Sequence, residues 1–355
     1  MARKQRYIFA EEKPHPFRAF LLGVLVVALL AGLGLFIYNF GLSHQVVIER
    51  QSITIPNLSG DLENWSILHM SDLHGKYLGQ GHAGISRAIN GRNYSCAVFT
   101  GDMLGKGGDV QPLLDLVALL PEGMPKLFIP GDSDPPLIAT AAHASLSPYA
   151  DWAVRLQEAG VTILDEPVSF TRNRSTIWFI PEEFYTLDID STEAAYQARL
   201  DLLNASMTPL DADDAALARA AEYNIERMRR LRETKKAISA NDIQIAVTHK
   251  PLTAEYISEM VAASAPDEVF SLRRVSLVLA GHYVGGQWRL PRLGAFWVPE
   301  LGFFPEDSLM MGLDYVSGVP QYISPGLAAS DFYPFPGRLF NVPVITTIYL
   351  TANIV

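Results

Sequence analysis

The chain has 355 residues, 28 Lys and Arg against 38 Asp and Glu, a net charge of −10 and a mean hydropathy of +0.13. Half the residues are apolar and 19% are charged, which excludes a disordered chain. A single cysteine, Cys96, excludes a disulfide scaffold, and an isoelectric point near 5.3 argues against a nucleic-acid partner.

Residues 1–18 carry Arg3, Lys4, Arg6, Lys13 and Arg18 against Glu11 and Glu12, net +3, so the remainder carries −13. Residues 19–38 then hold no charged side chain. At ~1.5 Å per helical residue they cover the ~30 Å hydrocarbon core, and the run predicts a transmembrane helix over 19–41. A cleaved signal peptide has a shorter apolar region, ~7–15 residues, and a small-residue cleavage site. GLSHQVVIER follows here instead. Arg50 is the only Lys or Arg between the run and Lys76. The positive-inside bias therefore makes 1–18 a cytoplasmic tail and places 46–355 outside the cytoplasm, on a single-pass membrane protein.

Beyond the apolar run, short uninterrupted apolar segments recur: WSILHM (65–70), CAVFT (96–100), LFIP (127–130), IQIAVT (243–248) and SLVLA (276–280). Their length and continuity suit strands buried on both faces. Periodic stretches at 110–120 and 151–160 read as helices between them, so the fold class is α/β. Residues 188–237 differ in kind. They are charged, poor in Gly and Pro, acidic at 188–195, basic at 226–236, and read as two helices broken near 207–214. A solvated hairpin with faces of mixed sign is the simpler reading; a lid or basic ledge for an anionic substrate is the functional one. Cys96 sits in an apolar run as a core residue.

Each of the five apolar segments ends in Asp or His. They lead to Asp72-Leu73-His74, Gly101-Asp102, Gly131-Asp132-Ser133-Asp134, His249-Lys250 and Gly281-His282. Ligand sites in open α/β sheets form beyond the carboxyl ends of strands, and glycine beside the polar residue permits a sharp turn and close approach. Three carboxylates and three imidazoles thus converge: Asp72, His74, Asp102, Asp132, His249 and His282. Carboxylates sharing a dry site repel one another unless a cation intervenes. Mixed carboxylate and imidazole donors suit Zn, Mn or Fe, and six of them suit two ions ~3.5–4 Å apart, an arrangement that activates water and clamps a phosphoryl group. Lys76 and Lys250 stand close enough in sequence to contact phosphate. The other five histidines fall outside the pattern. His15 and His44 flank the apolar run, His69 lies within a strand, and His82 and His143 fall in helix-like stretches.

With those motifs in that order, the chain resembles the calcineurin-like metallophosphoesterases, nearest their membrane-anchored bacterial phosphodiesterase branch. The resemblance covers about 46–170 and 240–350, with GGQWRLP (285–291), YISPGL (322–327) and RLFNVPVITTIYL (338–350) matching the closing segment. It leaves 188–237 as an insertion. It implies a sandwich of two mixed β-sheets flanked by helices. It also implies one or two divalent metal ions bridged by Asp102, one taking Asp72 and His74, the other His249, His282 and Asp132. Three positions depart from the family. Asp132 replaces Asn, Ser133 replaces the histidine that protonates the leaving oxygen, and Val284 replaces a histidine ligand of the first metal. Loss of a general acid typically costs ~10²–10⁴ in rate.

The expected function is that of a membrane-anchored, metal-dependent phosphoesterase. It would hydrolyse a phosphodiester or pyrophosphate-type bond with metal-activated water. Its substrate would be a phosphorylated small molecule or a lipid or cell-envelope phosphoester at the bilayer. The alternatives are a degenerate relative that binds metal or a phosphate ligand without turnover, and a structural module at the membrane surface. Six retained donors weigh against the last.

Overall fold

Largely apolar runs too short for helices and free of charged residues become strands buried between layers. In the computed structural model, which describes residues 16–43, 45–205 and 209–352, all five match their predicted bounds to within one residue. The strands are β1 (Val47–Thr54), β2 (Ser66–Met70), β3 (Cys96–Thr100), β4 (Lys126–Ile129), β5 (Thr162–Ile163), β6 (Val168–Arg172), β7 (Ser175–Pro181), β8 (Ile243–Val247) and β9 (Val275–Ala280). Gly312–Val316, Val319–Ile323 and Val344–Thr351 complete the two main sheets. The basic residues before Phe17, His15, His44 and the first part of the break at 207–214 lie outside the described residues.

The chain divides into two units, Met1–Leu42 and Ser43–Val355. The first holds helix α1 (Pro16–Ser43), which opens on a proline whose missing N–H is unused in a first helical turn. Its apolar side chains are exposed along its length, and it is long and apolar enough to cross a membrane.

The second unit is a layered α/β structure. One six-stranded sheet has the order β1, Val344–Thr351, β2, β3, β4, β5. All its pairings are parallel except that of Val344–Thr351 with β2. The other has the order Gly312–Val316, Val319–Ile323, β9, β8, β7, β6, with antiparallel pairs only at its two edges. The facing sides interleave: Ile67, Val98 and Leu127 of one sheet pack with Phe179, Ile245, Leu277 and Leu279 of the other. Helices α2 (Ala83–Ile89), α3 (Gln111–Ala118) and α4 (Asp151–Glu158) bring Ile85, Leu113, Leu116 and Leu156 onto the outer face of the first sheet. Helices α6 (Ala212–Ala237) and α7 (Ala254–Ala263) bring Met228, Leu231 and Ile257 onto the outer face of the second. Two mixed sheets flanked by helices are what the family resemblance implied.

The segment 188–237 forms α5 (Ile189–Asn204) and α6, each opened by an aspartate, Asp188 and Asp211, that accepts from the next turn's amides. Its opposite charges meet each other. Arg229 and Arg232 pair with Glu193, Arg232 also with Asp190, and Arg230 with Glu166. The basic run is thus occupied by carboxylates of the chain itself. One expectation fails nearby: His143 lies in irregular chain, not helix, and its Nε2 donates to the Tyr149 carbonyl. The stretch is drawn back on itself instead, with Ile138 and Tyr149 forming an isolated antiparallel bridge.

Candidate metal centre

Strands β2, β3 and β4 are neighbours in one sheet, and β8 and β9 are neighbours in the other, so five carboxyl ends open onto one place. The turns leaving them are tightly cross-tied. The Asp72 amide donates to the Gly101 carbonyl at 3.0 Å, the His74 amide to Asp102 at 2.8 Å, and the Gly281 amide to His249 at 2.9 Å. Asp72, His74, Asp102 and His282 all take positive φ, a conformation non-glycine residues rarely adopt and one that concentrates at functional sites. Glycine is required where these turns touch. A Cβ on Gly101 (φ +84°) would stand 2.7 Å from the Gly131 backbone and from His249 Nδ1. One on Gly131 would stand 2.3 Å from Asp102 Oδ1.

The six candidate ligands form two groups. Asp72, His74 and Asp102 are all buried; Asp132, His249 and His282 combine two sequestered imidazoles with an exposed carboxylate. Within each group the donor atoms lie within 4.8 Å of one another. Asp102 stands between them: its Oδ1 accepts the Ser133 amide at 2.8 Å, and its Oδ2 is 3.4 Å from His249 Nε2. His249 Nδ1 donates to the Thr100 carbonyl at 2.8 Å, which leaves Nε2 as the ligand nitrogen.

Electrostatics show what this arrangement suits. Burial pushes the Asp72 carboxyl up to about 7 and the His74 and His282 imidazoles down to about 4. Burial also disfavours charge on His249, but Asp102 and Asp72 outweigh it and raise the imidazole to about 9. For Asp102 burial works upward, yet the hydrogen bond and charge of His249 and the Ser133 amide hold it far below the usual carboxylate range. Asp72 Oδ1 and His74 Nε2 are buried, lack hydrogen-bond partners and face each other at 4.0 Å. A buried acceptor pair with nothing between it is costly. A divalent cation is what these donors fit: it accepts lone pairs from both and offsets two neighbouring carboxylates.

The remaining motif residues have other duties. Asp134 staples the turns, accepting from the amides of Leu104 at 2.7 Å, Gly131 at 2.9 Å and Gly105 at 3.3 Å. Ser133 Oγ lies 3.4 Å from His74 Nδ1. Val284 is wholly buried among Ala295, Val298, Met310 and Tyr333, so its side chain belongs to a small core. Lys76 is held by the Ala329 carbonyl and Asp331, and Lys250 by Asp132 and Glu300.

A cavity of about 390 Å³ opens over both groups, lined by His74, Asp102, Lys106, Asp132, Ser133, His282, Ser330, Asp331 and Phe332. The strand-end motifs do not single out Lys106, although a lysine in Gly105-Lys106-Gly107-Gly108, four residues after Asp102, is a visible signal. It is exposed and makes no hydrogen bond or ion pair among the described residues. Glu300, Asp331 and Phe332 carry no local signal and come from loops far along the chain. Nor does Arg338, a buried guanidinium that donates to carbonyls of Pro325, Ala328, Asn341 and Val342. It thereby secures the loop whose Ala328 amide holds the Asp72 carbonyl at 2.8 Å. Beyond Asp132 a second cavity, about 440 Å³, runs between the ends of β4, β7 and β8 toward Arg227 of α6.

The family model for calcineurin-like phosphoesterases matches residues 66–285, more than half of the chain. No curated protein matches. Among solved structures, a phosphopantetheinyl hydrolase from Mycobacterium tuberculosis is similar at 14% identity and a TM-score of 0.34, over 74% of this chain and 89% of that one.

Proposed function

Because the chain belongs to the calcineurin-like phosphoesterase family, we propose that it hydrolyses a phosphodiester or pyrophosphate-type bond at a membrane surface. One observation carries the reading: two ligand groups share the strand-end cleft, and one of them buries two facing, unpartnered donor atoms. Asp72, His74 and Asp102 would hold one divalent ion, and Asp132, His249 and His282, with Asp102 shared, a second. Such ions, when bound, supply Lewis acidity toward a phosphoryl oxygen and lower the pKa of water.

The chain's own residues do the rest. The Thr100 carbonyl fixes the His249 tautomer, and the Ser133 amide fixes the Asp102 carboxylate. Lys106, unpaired and on the cavity wall, is placed to neutralise a substrate phosphate. Phe332, 6.2 Å from His282 between ring centroids, walls the cavity on one side. The Ser133 hydroxyl is a far weaker general acid than an imidazolium, so leaving groups of low basicity are favoured. Helix α1 tethers the enzyme, with residues 1–18 cytoplasmic and the acidic domain outside. Substrates are then phosphorylated small molecules or lipid and cell-envelope phosphoesters reached at the bilayer.

The test uses the full chain in detergent, assayed for metal content and for hydrolysis of bis-p-nitrophenyl phosphate with Mn²⁺ and with Zn²⁺. Turnover that Asp102→Ala abolishes supports the enzyme. Metal uptake with turnover no greater than that of Asp102→Ala supports instead a binding protein, the reading that Ser133 and Val284 favour.

A further inference from the structure

The replacement of a histidine by Val284 points to a weak first metal group. The geometry points the other way, to the second group and to a residue that is not a ligand.

The first group is prepared for a cation. Asp72 and His74 are buried, their backbones are tied to Gly101 and Asp102, and their facing donor atoms have no partner. Arg338, a buried cation whose charge is felt at Asp72, gives its N–H groups to carbonyls. The second group has one carboxylate of its own, Asp132, with its side chain 56% exposed. That carboxylate is already engaged: Lys250 Nζ lies 3.1 Å from Asp132 Oδ2. Glu300 holds the same ammonium at 3.3 Å and approaches His282 Nε2 at 3.9 Å. Glu300 sits at φ +70° in the turn between the short strands Trp297–Val298 and Gly302–Phe303. A divalent ion entering the second group must either take Asp132 from Lys250 or accept a fixed positive charge beside it. Either weakens its hold.

We infer that Lys250, braced by Glu300, is an internal competitor for Asp132, so that one divalent ion fills the Asp72–His74–Asp102 group tightly while the Asp132–His249–His282 group fills weakly. The inference rests on the metal-dependent reading and extends it to the order in which the groups fill. Chain-supplied Lys250 also accounts for Asp132, since the extra negative charge at that position is matched by an ammonium.

Full-chain protein in detergent, stripped with a chelator and titrated calorimetrically with Mn²⁺ alone, tests it. The wild type should bind two ions, the second about tenfold or more weaker than the first. Lys250→Met should tighten the second step about tenfold and leave the first within about threefold, with Lys250→Gln moving in the same direction. Glu300→Gln loosens the brace on Lys250 but also removes a carboxylate 3.9 Å from His282 Nε2, so it should change the second step less than Lys250→Met does, and so should Lys106→Met, which removes a cation from the same cavity. Lys250 is half exposed, so neither substitution opens the core. The inference is overturned if both Lys250 variants leave the second step unchanged, or if the first step tightens as much as the second. No Mn²⁺ uptake by any variant would sink the metal reading and the inference together. The expected binding pattern without ester hydrolysis would sink only the enzyme reading.

Discussion

Gly101→Ala is the most direct probe of the strand-end architecture. Gly101 takes φ +84°, where an L side chain is strained by roughly 1–2 kcal/mol. Its new methyl would stand 2.7 Å from Gly131 N and Cα, which are backbone, and 2.7 Å from His249 Nδ1. Those atoms must separate, and overpacking of this kind costs roughly 1–3 kcal/mol. Moving His249 also strains its 2.8 Å bond to Thr100, worth roughly 0.5–1.5 kcal/mol. The sum is roughly 2.5–6.5 kcal/mol, or a fall of about 5–13 °C in Tm at about 2 °C per kcal/mol for a domain of this size. Gly107, in the same run of loop, has nothing within 4 Å of its would-be Cβ and no positive φ. Gly107→Ala should therefore lie within about 0.5 kcal/mol of wild type. Thermal unfolding of both variants by circular dichroism, with Mn²⁺ uptake measured in parallel, makes the comparison. Equal melting temperatures for the two variants would show that the close approach of the Asp102, Gly131 and His249 turns does not support the site.

The two departures from the family motifs should respond differently to reversion. Ser133→His places an imidazole on the cavity wall and should raise turnover of alkyl phosphodiesters by about 10²-fold, with little effect on p-nitrophenyl esters, whose leaving group needs no proton. Val284→His buries that ring in a small apolar core and should cost roughly 1–3 kcal/mol of stability without adding activity; a gain in turnover at an unchanged Tm would contradict the placement. Lys106→Met should raise KM by about tenfold through loss of a charge-assisted phosphate contact while metal content stays constant; an unchanged KM would remove Lys106 from the substrate site.

Several features are legible in the chain alone because they depend only on adjacent residues. Continuous runs such as CAVFT and IQIAV can satisfy their side chains only between two layers, and they form β3 and β8 with every residue buried. Asp or His after each run announces the strand-end turns, and Asp188 and Asp211 begin α5 and α6. Lys76 and Lys250 are legible as cations near the motifs but not as what they do. Their partners, Asp331 for one and Asp132 with Glu300 for the other, come from turns the two sheets bring together. The basic run at 226–236 likewise finds its partners through the fold, its arginines answering acids on α5 and at Glu166.

By itself the sequence determined the apolar helix, the α/β alternation and the six donors, since burial period and residue chemistry are local properties. Tertiary structure decided how those donors divide. The packing of two sheets sets Asp72, His74 and Asp102 in a dry pocket with two unpartnered atoms, and leaves Asp132 at an open edge beside Lys250. Whether a carboxylate meets a metal ion or an ammonium depends on which charges the fold brings within a few ångströms and how much water remains between them, and no run of adjacent residues encodes that.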